Sequence, residues 1–168
     1  MRAAGSKSAR ELRSELEGQL GPNGRPLCTW CRGEVPKGRR TWCSADCVHA
    51  YRLRNDWTYI SAAVFKRDRG ICSICLIDTR EQQRQLKLFR RRGKDAVQKL
   101  AEKWGIPAKR VRGKLWDVDH IVPCVEGGDN SLSNLQTLCI RCHAERTRRL
   151  NEHRRMLAST IRGRRESP

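Results

Sequence analysis

Four side chains between Asp117 and His143 are of the types needed to hydrolyse a phosphodiester: Asp119, His120, Asn134 and His143. Water attack on such a bond needs a base to take the proton of the nucleophile. It also needs a cation to offset charge on the phosphate and on the departing oxygen. One histidine and one metal held by oxygen and nitrogen ligands meet both needs. An imidazole has an unperturbed pKa of about 6.5, suited to proton uptake near neutrality. Asp119 and His120 are adjacent on an expected strand over Leu115 to Val122, which sends their side chains to opposite faces unless the backbone twists or bulges. His143 follows Cys142 at about 100° around a helix axis, so the two can face different centres. Singly, each of the four has an ordinary structural reading: a turn cap, a helix cap, a zinc ligand or a surface histidine. Their combination carries the chemical reading.

The elements positioning these residues need cross-links. Only 38% of the 168 residues are hydrophobic and 32% are charged, so the apolar core is modest. Eight of the nine cysteines fall into close pairs, Cys28/Cys31, Cys43/Cys47, Cys72/Cys75 and Cys139/Cys142. Met1 to Leu20 lacks the apolar centre of a secretory signal, and Glu11, Glu15 and Glu17 argue against a mitochondrial transit peptide. No run reaches the roughly 18 apolar residues of a membrane span. An intracellular, reducing location follows, where paired cysteines indicate zinc and not disulfides. Four thiolates per tetrahedral site make two structural zinc sites. Sequential pairing puts Cys28, Cys31, Cys43 and Cys47 on one zinc and Cys72, Cys75, Cys139 and Cys142 on the other; an interleaved cross-brace is the alternative. Cys124 is left over, as a packing residue or a functional thiol. His49 and His153 are expected at the surface.

Thirty-six Lys and Arg against 18 Asp and Glu give a formal charge of +18. Such a charge calls for a polyanion, with nucleic acid the leading partner and a merely solvated, highly soluble surface the alternative. Thr79 to Lys114 alone carries 13 basic and 3 acidic residues. Its apolar positions, Leu86, Leu88 and Phe89, then Val97, Leu100 and Trp104, predict two short helices broken at Gly93. A basic insertion of this kind is expected to lie along a phosphate backbone and contribute affinity without sequence choice; a solvated basic helical pair that only shields the core is the alternative. Further expected helices are Ser8 to Leu20; a helix opened by the second Cys pair, with Ser44 as N-cap; Trp57 to Arg69, stopped by Gly70; and Leu138 to Met156, with Leu150, Met156 and Leu157 inward and Arg146, Arg148, Arg149, Arg154 and Arg155 outward.

The segments DHIVP (119–123), GG (127–128), NLQTLC (134–139) and CH (142–143), with CSIC at 72–75, resemble the HNH endonucleases. The upstream LCTWC and TWCSADC resemble a variant with an additional Cys-rich knuckle, similar to the nuclease module of some annealing helicases. The resemblance implies an α+β fold: a small zinc-stabilised ββα-metal core with added helices and an N-terminal zinc knuckle. It divides the chain into a flexible polar leader (1–24), the knuckle and its helices (25–70), the nuclease core (71–150) with the basic insertion at 80–114, and a basic C-terminal tail (151–168). It makes His120 the general base and Asp119 and His143 ligands of one catalytic divalent metal, Mg, Mn or another transition ion. Asn134 either ligates that metal or hydrogen-bonds the base. Relatives often have Lys where Arg146 stands, and some have a further metal histidine where Thr147 stands. The implied activity is metal-dependent DNA endonuclease; a non-catalytic zinc module that binds nucleic acid is the alternative.

Overall fold

The computed structural model describes residues 7–165, so the outermost parts of the expected leader and tail lie outside it. The elements are α1 (Ala9–Ser14), α2 (Ala45–Asn55), α3 (Trp57–Arg67), α4 (Thr79–Phe89), α5 (Lys94–Lys103), β1 (Trp116–His120), β2 (Leu135–Cys139) and α6 (Ile140–Arg165). The strand, loop, strand, helix outline expected for the last third is present, and the fold is mixed α and β with a two-stranded antiparallel sheet. Strand β2 claims Leu138, so α6 starts at Ile140 and not at Leu138.

The same cysteine-bearing build occurs twice. In Cys28 to Cys31 and in Cys72 to Cys75 the first Cys N–H donates to a carbonyl five residues on, Gly33 and Ile77. The residue after the second Cys, Arg32 or Leu76, takes a positive φ of 63° or 59°. Isolated bridges close both turns, Leu27 with Glu34 and Ile71 with Asp78. Each knuckle meets a helix start bearing the other Cys pair: Cys47 in the first turn of α2, capped by Ser44, and Cys142 in the first turn of α6. Helix α1 begins with a reciprocal cap between Ser8 and Glu11. It ends at Ser14, short of the expected Leu20, and meets the first knuckle through Arg13, which donates to the Thr41 hydroxyl; Leu16, just past its end, is buried.

Three small apolar clusters replace one large core. Ile60 and Val64 of α3 pack on Leu135, with Trp57 and Val118 alongside. Leu138 packs among Cys72, Cys139 and Cys142. The basic insertion has its own cluster of Leu86, Val97, Ala101, Ile106 and Val111, rooted on Leu115 and Ile140. The break between its two helices falls at Gly93, whose φ of 101° favours glycine. Asp68, at the end of α3, accepts the Thr137 N–H at 2.8 Å and a bond from Arg67 at 2.7 Å. The Arg67 guanidinium also reaches the carbonyls of Leu132 and Leu135. These contacts fix α3 across the sheet.

Side-chain alternation along β1 decides what faces the site. Trp116, Val118 and His120 point to α3, where Phe65 stacks on Trp116 at 4.0 Å and Trp57 on His120 at 5.8 Å. Asp117 and Asp119 point to α6, toward His143 and Arg146. Two expectations for α6 are corrected. Arg146 turns inward, because the Asp119 carboxylate and the carbonyls of His120 and Ile121 lie beneath that face of the helix. Met156 and Leu157 are 68% and 51% exposed, because α6 runs past the edge of the small core.

Candidate active site and metal centres

The cysteines form two tetrads, Cys28/Cys31/Cys43/Cys47 and Cys72/Cys75/Cys139/Cys142, each with its sulfurs within 4.8 Å of one another. The pairing is sequential, and the interleaved alternative is excluded. Sulfurs 3.3 to 3.6 Å apart, as in Cys43 with Cys47 and Cys75 with Cys139, are close to the spacing of about 3.8 Å set by tetrahedral Zn–S bonds of about 2.3 Å. The thiols fit a cation electrostatically as well. Against the opposing effect of burial, backbone N–H groups of Cys31 and Cys43 draw the Cys28 thiol down to about 6. Burial, and the crowding of Cys139 and Cys75, push Cys142 far up. Four such groups ionise together only around a metal. The second tetrad joins the knuckle before the insertion to β2 and α6 after it. Cys124 belongs to neither tetrad and is exposed, with its sulfur 3.3 Å from His120 Nε2.

An open cleft of about 570 Å³ lies at the end of β1, lined by Asp119, His120, Cys124, Arg146 and His153 among others. Asp119 and His120 do leave the strand on opposite faces, as alternation requires, and both reach this cleft because β1 stops at His120. His120 Nε2 lies 2.8 Å from Asn130 Oδ1. An amide oxygen only accepts, so Nε2 carries the ring proton and the lone pair sits on Nδ1, for which no partner is found among the described residues. Trp57 covers the ring face, with the two planes 20° apart.

On the other face, His143 Nδ1 lies 3.3 Å from Asp117 Oδ2, which also accepts from Arg110 at 2.9 Å. The hydrogen bond to Asp117 raises the His143 pKa above its ordinary value, against burial, and the negative charge of Asp119 adds to the rise. Burial would raise the Asp117 carboxyl, but His143 and Arg110 bring it below the usual carboxylate range. With Nδ1 so engaged, Nε2 of His143 remains for a ligand. Asp119 Oδ1 accepts the His120 N–H at 3.0 Å and Oδ2 lies 3.1 Å from Arg146 Nε. The Arg146 guanidinium also donates to the carbonyls of His120 and Ile121. Asp119 and His143 suit a hard divalent ion or a later transition metal. Among the described residues no third Asp, Glu, His or Cys completes a cluster with them, and Thr147 bonds its own helix at the His143 carbonyl.

Asn134 has a third task, neither of the two expected. Its oxygen accepts the Val122 N–H at 2.8 Å, and its nitrogen donates to the carbonyls of Val122 and Asp129. It thereby pins the loop that carries Asn130. The neighbouring glycines are required there: Gly127 has φ 90°, and a Cβ on Gly128 would lie 1.8 Å from the Val122 oxygen. His49 is exposed, with Nδ1 2.8 Å from the Tyr59 hydroxyl.

Sequence reasoning missed Trp57, Asn130, Asp117 and Arg110. Asp117 carried a usable signal, since two residues before Asp119 means the same strand face. Asn130 looked like turn chemistry within EGGDN, and Trp57 like an ordinary helix start.

Residues 106–149 match the family model for HNH endonuclease. The chain is 32% identical over 142 residues to the mouse DNA annealing helicase and endonuclease ZRANB3, a match that covers 74% of this chain and 13% of that protein. The human protein of that name is 32% identical over 152 residues, covering 78% and 14%. The chain therefore spans about one seventh of the length of these relatives. The crystal structure of the human ZRANB3 HNH domain superposes with a TM-score of 0.51 at 32% identity, covering 62% of this chain and 97% of that one. The chain belongs to the HNH endonuclease family.

Proposed function

We propose that the protein is a metal-dependent DNA endonuclease with His120 as general base. The observation that carries this reading is the fixed His120 ring, whose Nε2 is held by Asn130 and whose face is covered by Trp57, at a cleft it shares with Asp119. His120 Nδ1 takes a proton from water, the water oxygen bonds to phosphorus, and the ester P–O bond breaks. The departing oxygen takes a proton from solvent. Asp119 and His143 would hold the divalent ion, which when bound supplies a Lewis acid for the phosphate and the departing oxygen. Asp117 holds His143 in the tautomer that leaves Nε2 to ligate, and Arg146 sets the orientation of Asp119. Zinc in both cysteine tetrads holds the frame, and thiolate sites of this kind belong to a reducing, intracellular compartment.

The second reading is a non-catalytic zinc module that binds nucleic acid. It rests on the Arg146 guanidinium, which already supplies Asp119 with a cation. Supercoiled plasmid with Mg or Mn separates the two. Cleavage that stops with EDTA and falls by about 10²–10⁴ in His120→Ala supports the endonuclease. Plasmid left intact under every metal tested supports the binder.

A further inference from the structure

The basic insertion folds around a cleft of about 420 Å³ that no part of the proposed nuclease chemistry uses. Four cationic side chains line it: Arg90, Lys94, Lys109 and Arg112. No Asp or Glu does; Asp95, in the first turn of α5, is not among its lining residues. Its floor is packed: Val97 and Val111 belong both to the lining and to the insertion's apolar cluster. The Arg90 guanidinium is already braced on the Val111 carbonyl at 3.1 Å. Among the described residues, Lys94, Lys109 and Arg112 have no carboxylate partner, whereas many other arginines of the chain are paired, as Arg84 is with Glu81 and Arg148 with Glu145. Unpaired cations that converge over an apolar floor repel one another, and an anion relieves that repulsion.

From this geometry we infer that the cleft is a second DNA-binding site, one that grips the phosphodiester backbone beside the active site. The inference rests on the proposed function for its choice of DNA as the anion. The location supports that choice. Lys109 lines the cleft, and the next residue, Arg110, reaches Asp117 Oδ2, the carboxylate that holds His143. Adjacent Cα atoms are about 3.8 Å apart, so one short turn presents a phosphate-binding face and an active-site face. Gln98, the one amide in the lining, is held by Glu102 at 2.8 Å, so the cleft offers chiefly charge and binding there is independent of sequence.

The test is the triple variant Lys94→Gln, Lys109→Gln and Arg112→Gln in the full chain. A matched control removes the same charge from the exposed first knuckle, Lys37→Gln, Arg39→Gln and Arg40→Gln. Duplex affinity is measured by fluorescence anisotropy in EDTA over a range of salt, together with zinc content and single-turnover cleavage at saturating DNA. The cleft variant is expected to bind at least tenfold more weakly than the control on every duplex. Three lost phosphate contacts should flatten the log affinity against log salt slope by about 2 to 3. Two zinc ions per chain and the saturated cleavage rate should be kept. Affinity and slope equal to the control's would overturn the site, whatever the cleavage result. Plasmid left uncut by wild-type protein that binds DNA overturns the nuclease reading instead, and the slope comparison still decides the cleft.

Discussion

The Trp57 indole lies along the His120 imidazole, with ring centroids 5.8 Å apart and planes 20° apart, while Asn130 holds the edge of the ring at 2.8 Å. Face and edge are thus fixed by residues 63 positions before and 10 after the histidine. A histidine held this way offers one nitrogen in one direction.

Asn130→Ala should lower the cleavage rate by on the order of 10–100-fold, as losses of histidine-orienting partners do, with little change in KM for DNA. Asn130→Asp keeps an acceptor, adds a negative charge and stabilises protonated His120. It should retain more activity than Ala and move the acidic limb of the rate profile to higher pH. Equal rates and equal profiles for the two variants would show that Asn130 does not act on His120.

The His143–Asp117 pair predicts a pH dependence of metal binding. His143 has a raised pKa, so its pairing with Asp117 stabilises the fold fully below the unfolded-state value of about 6.5 and is lost as pH rises through the raised one. Metal needs the deprotonated ring, so Mn affinity should weaken as pH falls through that raised value. In Asp117→Asn the decline should begin at lower pH, and affinity well above it should be about 10–100-fold weaker. Calorimetric titration of Mn across pH checks both. A decline unmoved by Asp117→Asn would place its origin elsewhere.

The two loop glycines should differ sharply. Gly127→Ala meets no atom within 4 Å and bears only the strain of φ 90°, about 1–2 kcal/mol. Gly128→Ala drives a methyl onto the Val122 carbonyl and the Asn134 amide, so the loop has to open and release Asn130. Thermal melting and plasmid cleavage should both rank Gly128→Ala far below Gly127→Ala.

Cys142→Ser should drop the zinc content from two ions to one per chain and unfold the nuclease core, since zinc in such sites contributes directly to folding. Cys124→Ser should keep both ions and the wild-type melting temperature. His120→Ala should do the same and lose activity alone. Metal analysis with circular dichroism separates the three.

Much of the frame was legible because it depends on local chemistry. The close cysteine pairs read as zinc ligands come together in tetrads, and Ser44 caps α2 as its residue type predicts. The insertion's two helices and their break at Gly93 follow from apolar periodicity and one glycine. The inward turn of Arg146 was not legible. Helical periodicity marks a charged residue as outward, and only the Asp119 carboxylate and the His120 carbonyl, 26 residues earlier at the end of the strand, reverse that choice. Met156 and Leu157 differ from expectation for the complementary reason: apolar periodicity marks them as inward, and the core ends before it reaches them, leaving both exposed.

By itself the sequence determined the family, the four cysteine pairs and the four polar residues around which hydrolysis is proposed. Residue type and short spacing suffice for ligand chemistry. The tertiary structure alone decided which cysteine pairs come together in one tetrad, that Asn134 holds a loop, and that Trp57, Asn130 and Asp117 contact the two histidines. Those are contacts between segments far apart along the chain, and their distances are set by how α3, the hairpin loop and α6 pack on one two-stranded sheet.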